Sequence, residues 1–319
     1  MTRHLLRDDD LAPAEQAEVL VLAAEMKQSP FEHRPLAGPL TVATIYDKPT
    51  LRTQASFSSG IAELGGHSML VDGRLAGIGE REAVADVARV LGRQAAAIVW
   101  RTFGQDALEG MAAYAGVPVV NALTDDFHPC QLLADLLTVR EHTGGTVGRT
   151  VGFVGDGACN MGNSWVLAGA TAGMHVRIGA PAGYLPDQAV VERARQLAAG
   201  TGGSVTLTHD PHEAVAGADA VVTDTWVSMG KEGESEARTA TFAPYAVTAG
   251  LFGKAADDAI LLHCLPAHRG KEVAAEVIDG PRSVVWDEAE NRRHAQKAVL
   301  AWLLARADVE TDGRWGRHD

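Results

Sequence analysis

The sequence predicts an α/β protein built from two doubly wound parallel-sheet domains with a cleft between them. Three observations carry this. Short, continuous apolar runs alternate with amphipathic helical patterns along most of the chain, as in a parallel sheet covered on both faces. The alternation breaks at Gly144-Gly145 and then starts again. The chain has 319 residues, more than one small core requires.

Taken in order, a helix over 13–28 leads to a strand over 41–46, where Thr41-Val42-Ala43-Thr44-Ile45-Tyr46 is apolar and β-branched. Asp47-Lys48-Pro49-Thr50-Leu51-Arg52-Thr53-Gln54 follows, then a helix over 53–64 closed by Gly65-Gly66. Strand 67–71 precedes helix 81–91, strand 96–101 precedes helix 105–114, and strand 118–122 precedes helix 129–142. Beyond the glycine pair come strand 150–154, the turn Gly155-Asp156-Gly157, helix 160–172 and strand 175–180. Further strands are expected near 204–208, 219–223, 259–263 and 283–286, and a last amphipathic helix runs from Arg292 to Leu304. The expected division is 1–143 and 144–291, with helix 292–306 packing back on the first domain because the second sheet is already complete.

Composition narrows the function. The formal charge of −13 and the lack of a basic stripe argue against nucleic acid as a partner. No apolar run reaches the length of a membrane span, and the first residues lack a signal-peptide core, so no membrane partner and a cytoplasmic home are expected. The three cysteines, Cys130, Cys159 and Cys264, are odd in number and widely spaced, which makes a disulfide framework a poor reading.

The chemistry-bearing residues gather where strands end. Thr50, Arg52 and Thr53 lie at the mouth of a helix, where free N–H groups and the helix dipole favour an anion such as phosphate. Trp100-Arg101-Thr102 closes a strand, Phe127-His128-Pro129-Cys130-Gln131 opens a helix, and Asp224-Thr225-Trp226-Val227-Ser228-Met229-Gly230 follows Val221-Val222-Thr223. His263-Cys264-Leu265-Pro266 ends another strand, and Glu288-Ala289-Glu290-Asn291-Arg292 opens the last helix. Any one of these could be structural; the five beyond the helix mouth, converging on strand ends, point together to a site. By contrast Gly152-Phe153-Val154-Gly155-Asp156-Gly157 misses the dinucleotide spacing and reads better as a tight turn. A metal site at His263, Cys264 and His268 lacks paired ligand spacing. Cys264 as a nucleophile has His263 beside it, but adjacent strand residues point to opposite faces.

These motifs, with Leu64-Gly65-Gly66-His67 and Asp287, resemble those of the carbamoyltransferases nearly end to end, and within them the ornithine carbamoyltransferases. The resemblance implies citrulline and phosphate made from ornithine and carbamoyl phosphate, with small-molecule substrates, no cofactor, no metal, and a homotrimer whose active sites lie at subunit interfaces. It implies that Thr50, Leu51, Arg52 and Thr53 bind the phosphate, while Arg101, His128 and Gln131 hold the carbamoyl end. Arg292 would reach in from the last helix and the Cys264-Leu265 turn would line the carbamoyl amide, so Arg101, His128, Cys264 and Arg292 carry the catalytic roles. Asn160, Asp224, Ser228 and Met229 would hold the amino-acid part of ornithine.

The chain departs from the family at Thr50-Leu51-Arg52-Thr53-Gln54, where Ser-Thr-Arg-Thr-Arg is usual. Gly77 stands near the position of a glutamine supplied by the neighbouring subunit, and Cys159 replaces the first of two asparagines. Two alternatives follow. One is a paralogue with a reshaped phosphate-side pocket, acting on another carbamoyl or acyl phosphate or another amine; the other is a non-catalytic ornithine binder.

Overall fold

The structure, a computed structural model, describes residues 2–227, 233 and 235–308. Contacts divide it into two units. The first gathers residues up to Leu11, Glu18–Cys130 and the chain from Arg292; the second takes Ala12–Ala17 and Gln131–Asn291.

The first unit holds β1 (Thr41–Tyr46), β2 (His67–Asp72), β3 (Ala97–Arg101) and β4 (Val119–Leu123), all parallel, in the order β2-β1-β3-β4. The central strand β1 is buried over five of its six residues, whereas edge strand β2 is never buried. One face of the sheet carries Ala43, Ile45, Ile98 and Trp100 against Leu108 and Met111 of helix Gln105–Ala115. The alternate residues Tyr46 and Arg101 are register partners and therefore share the other face. Beyond the expected strands, Leu5 makes a parallel bridge to Val120: its N–H donates to Val119 O at 2.9 Å, and Asn121 N–H donates to Leu5 O at 2.8 Å.

The second unit holds β5 (Thr150–Val154), β6 (His175–Gly179), β7 (Ser204–Thr208), β8 (Ala220–Val222) and β9 (Ile260–Leu262), parallel in the order β7-β6-β5-β8-β9. Its core packs Val154, Val221 and Leu261 of the sheet against Val215, Leu251, Val277 and Val285. Gly152 must lack a side chain, because a Cβ there would lie 2.6 Å from the Ala214 carbonyl oxygen. No helix among the described residues is long and apolar enough to cross a membrane.

Two expected elements differ. The strand expected near 283–286 is a single bridge from Ser283 to Leu261, and a helix starts already at Val285 and runs to Asp308. Asp287 and Glu288 lie in its first turn, where negative charge favours a helix N-terminus, and this outweighs the β-branched Val284-Val285 pair. The helix expected at 81–91 begins at Val84; a short helix, Gly73–Ala76, intervenes and ends on Gly77 at φ +64°.

The long C-terminal helix is fixed to the first unit by an internal ammonium. Lys297 is fully buried, and its Nζ donates to Glu63 Oε2 at 2.6 Å, to Met26 O at 3.2 Å and to Pro30 O at 3.0 Å. One charge thus closes the end of helix Pro13–Gln28, the loop after it and helix Arg52–Glu63. Removing Lys297 would leave Glu63 with only the more exposed Arg293, whose Nη1 lies 3.3 Å from its Oε1. Lys297→Ala is expected to lower stability by ~3 kcal/mol in urea unfolding followed by tryptophan fluorescence, within the range for broken buried pairs. A loss under ~1 kcal/mol would show that the ammonium is not the anchor.

Candidate active site

In the first sheet the chain leaves β1 toward β2 on one side and returns to β3 on the other, so the order reverses between β1 and β3. Ligands in such sheets sit outside the carboxyl ends of the strands at that reversal. The segment after β1 carries Thr50 to Thr53, and β3 ends on Arg101. Asp47 braces the turn: its N–H donates to Arg101 O at 2.9 Å, and its carboxylate accepts from Trp100 Nε1 at 2.9 Å.

A helix begins at Arg52, and the hydroxyl of Thr50 accepts the Thr53 N–H at 3.3 Å. Leu51 takes the N-cap position without a side-chain cap and is 79% exposed, so its apolar side chain adds no donor to the helix mouth. Thr53 is buried and central. Its Oγ1 accepts from Arg292 Nη2 at 2.8 Å and from Arg101 Nη1 at 3.4 Å. His128 lies within the same charge field, 4% exposed, immediately before helix Pro129–Thr143. Burial, followed by the charges of Arg292, Arg101, Arg52 and Lys48, holds its imidazole well below the usual histidine range. A neutral imidazole ringed by cations can donate one N–H to an oxygen gaining negative charge.

Lys48 belongs to this group as well, although none of the motifs assigns it a role. It is buried, paired with Asp125, and its Nζ lies 4.5 Å from the Phe103 ring centroid. Its signal is visible in sequence, as a lysine two residues before Thr50.

The second sheet reverses between β5 and β8. Gly155-Asp156-Gly157 follows β5, and Asn160 opens helix Asn160–Thr171. Thr223 and Asp224 follow β8, and Thr223 Oγ1 donates to Val154 O at 2.8 Å. Asp156 pairs with Arg238, whose guanidinium also lies over the Phe242 and Tyr184 rings, 5.1 and 5.3 Å from their centroids. Cys159, at the N-cap of that helix, makes no side-chain cap bond. Ser228 and Met229 lie outside the described residues.

β9 ends at Leu262, so His263 and Cys264 are not on a strand and the opposite-faces expectation does not apply. Leu265 turns left-handed, φ +58°, with its N–H donating to His263 Nδ1 at 2.9 Å. Asp224, His263 and Cys264 each bring one ligand atom within 4.8 Å of the others, so the pair thought divergent converges. His263 uses both ring nitrogens, Nδ1 on Leu265 and Nε2 on Glu272 at 3.3 Å, while Cys264 Sγ donates to Asp224 Oδ1 at 3.2 Å. Desolvation, then Asp224 and Glu288, hold that thiol well above the usual range. It is therefore a protonated donor rather than a nucleophile.

Gln131 is 1% exposed, and its Nε2 donates to Asp135 Oδ1 at 2.8 Å and Glu288 Oε1 at 3.1 Å. Thr50, Arg52, Thr53, Arg101, His128 and Arg292 thus belong to the first unit, and Gln131, Asn160, Asp224, Cys264 and Leu265 to the second.

Known proteins resemble this chain over most of its length. Residues 3–141 match the family described as aspartate/ornithine carbamoyltransferase, carbamoyl-P binding domain, and residues 147–303 match its Asp/Orn binding domain. A protein named ornithine carbamoyltransferase from Clavibacter michiganensis subsp. michiganensis is 65% identical over 95% of this chain and 99% of its own length. One of the same name from Leifsonia xyli is 61% identical over 96% and 98%. Among solved structures, the ornithine carbamoyltransferase of Pyrococcus furiosus superposes with a TM-score of 0.91 at 44% identity, covering 95% of this chain and 97% of that one.

Two outcomes test this electrostatic picture. The His128 ring resonances should not titrate between about pH 6 and 8; a midpoint near the ordinary ~6.5 would contradict the cationic surround. Cys264 should alkylate far more slowly at pH 8 than a free thiol, because thiolate is the reacting form, and fast labelling would overturn its protonated role.

Proposed function

The chain belongs to the aspartate/ornithine carbamoyltransferase family, and from that premise we propose that it transfers the carbamoyl group of carbamoyl phosphate to ornithine, giving citrulline and phosphate. The observation that carries this reading is Thr53 between two guanidiniums at a helix mouth, beside an imidazole held neutral. The phosphate lies on the N–H groups of the helix that starts at Arg52, with Arg52 and the Thr50 and Thr53 hydroxyls. The carbamoyl oxygen faces Arg101, Arg292 and neutral His128, and Gln131 with the Cys264-Leu265 turn takes the carbamoyl amide. Asn160 and Asp224 hold the amino-acid part of ornithine, with Ser228 and Met229.

The side-chain amine of ornithine must be neutral to attack. Its lone pair forms the new C–N bond at the carbamoyl carbon, charge grows on the carbamoyl oxygen, and the C–O bond to phosphate breaks. The attacking nitrogen passes its proton to the departing phosphate, which leaves onto Arg52 and the helix mouth. No enzyme nucleophile is required, so positioning and charge stabilisation account for the rate.

We further propose a homotrimer, in the cytoplasm, supplying citrulline to arginine biosynthesis. Edge strand β2 is never buried, Leu70 on it is 57% exposed and Leu75 of the short helix that follows is 80% exposed, and a bare edge of this kind calls for a covering chain. Three free thiols suit a reducing compartment. Of the departures from the family, Gly77 has a backbone reason: at φ +64° with Arg81 Cβ 3.0 Å from a would-be Cβ, a glutamine there is strained.

Purified protein should form citrulline from carbamoyl phosphate and ornithine, and no product above background would defeat the assignment. Arg101→Ala and Arg52→Ala should each lower kcat/KM at least ~100-fold, the cost of one oxyanion donor; a near-normal rate in either removes it from the site. Leu51→Thr with Gln54→Arg should tighten carbamoyl phosphate if the missing hydroxyl and charge weaken binding. Light scattering should give three copies per particle.

A further inference from the structure

His128 is held from both sides along the chain. Pro129 follows it, and a residue before proline is restricted to extended backbone. Before it comes the turn Thr124-Asp125-Asp126-Phe127, which links β4 to helix Pro129–Thr143. That turn is closed twice: Thr124 N–H donates to Phe127 O at 2.9 Å, and Thr124 Oγ1 accepts the Phe127 N–H at 3.1 Å. The hydroxyl is also one corner of a ring of hydrogen bonds. It donates to Gln105 Oε1 at 2.9 Å, and Gln105 Nε2 donates to Leu6 O at 3.3 Å. Asn121 Nδ2 donates to the same carbonyl at 2.8 Å and reaches Thr124 Oγ1 at 3.5 Å, which closes the ring. With the Thr124 proton given to Gln105, its oxygen lone pairs face the Phe127 and Asn121 N–H groups. Thr124 and Asn121 are fully buried. The ring thus joins the N-terminal segment, helix Gln105–Ala115 and the end of β4, all within the first unit.

We infer that Thr124 and Gln105 are positioning residues for His128: the ring they form fixes the Thr124–Phe127 turn, and the turn aims the imidazole before the reaction begins. The inference rests on the carbamoyl-transfer reading above, in which His128 faces the oxygen that gains charge. A donor already in place costs no reorganisation when that charge develops, and a small misplacement of it is expensive in rate. Phosphate is held by a different segment, Thr50 to Thr53 at the mouth of the helix that starts at Arg52. Loosening the turn should therefore slow the chemical step and leave ground-state binding nearly intact, which reads as a loss of kcat at constant KM.

The test measures steady-state kinetics for the wild type, Thr124→Val, Thr124→Ser and Gln105→Met, each also combined with His128→Ala. In Thr124→Val, kcat should fall at least about tenfold, the worth of one hydrogen bond, with KM for both substrates within about twofold. Thr124→Ser keeps the hydroxyl and should stay within about twofold of the wild type. With His128→Ala already present, Thr124→Val should cost less than about twofold further, because a residue acting through His128 has nothing left to act on. An equal fall in both backgrounds, Thr124→Ser as slow as Thr124→Val, or an unchanged kcat overturns the inference. Should Thr124→Val fail to fold, Gln105→Met, on another element and only half-buried, is read by the same criteria with a fall of about threefold. A second measurement needs no turnover. The His128 ring resonance, assigned by its loss in His128→Ala, should move in Thr124→Val and return in Thr124→Ser. Absence of citrulline in the wild type defeats the functional reading, whereas an unmoved resonance defeats this inference.

Discussion

The constraint on which the rest depends is the reversal of strand order in each sheet. Two neighbouring parallel strands whose connections leave in opposite directions have no chain crossing above their carboxyl ends, and a crevice opens there. In the first unit the reversal falls between β1 and β3, in the second between β5 and β8. Arg101 closes β3, the helix that starts at Arg52 follows β1, and Asp224 follows β8. The buried strands fix these positions, because slipping the register of a two-sided apolar strand would expose part of its core.

On that frame the two units handle charge in opposite ways. The first concentrates Lys48, Arg52, Arg101 and Arg292 around His128, and the ring responds by giving up its proton. The second sets Asp224 and Glu288 near Cys264, and the thiol responds by keeping its own. Each response leaves the titratable group as a neutral hydrogen-bond donor. An overall charge of −13 says nothing of this local contrast, since a few guanidiniums create a positive pocket on an acidic protein.

Much of this was legible in the chain. The apolar strands, the helix mouth at Thr50 to Thr53, and the polar residues at strand ends follow from local pattern, which is where periodicity carries information. Three features were not. Leu5 joins the first sheet through a single bridge, too short to leave a periodic signal. His263 and Cys264 converge because β9 stops one residue earlier than expected and Leu265 turns left-handed, a reversal no apolar pattern records. The Asp135–Gln131–Glu288 contact joins positions 157 residues apart, and only the folded chain brings them together.

The anchoring of the last helix has a consequence for how the protein is made. The first unit is assembled from both ends of the chain, and Lys297 closes it against Met26, Pro30 and Glu63. On a ribosome, residues 18–130 emerge well before residue 297, with Glu63 lacking its buried counter-charge. The intervening unit, contiguous from Gln131 to Asn291 apart from one short helix segment, can complete its sheet while the earlier-born one waits. Domains ordinarily fold in the order of synthesis. Here the unit translated first draws a closing contact from residue 297, so a chain ending before Lys297 lacks the ammonium that joins Met26, Pro30 and Glu63.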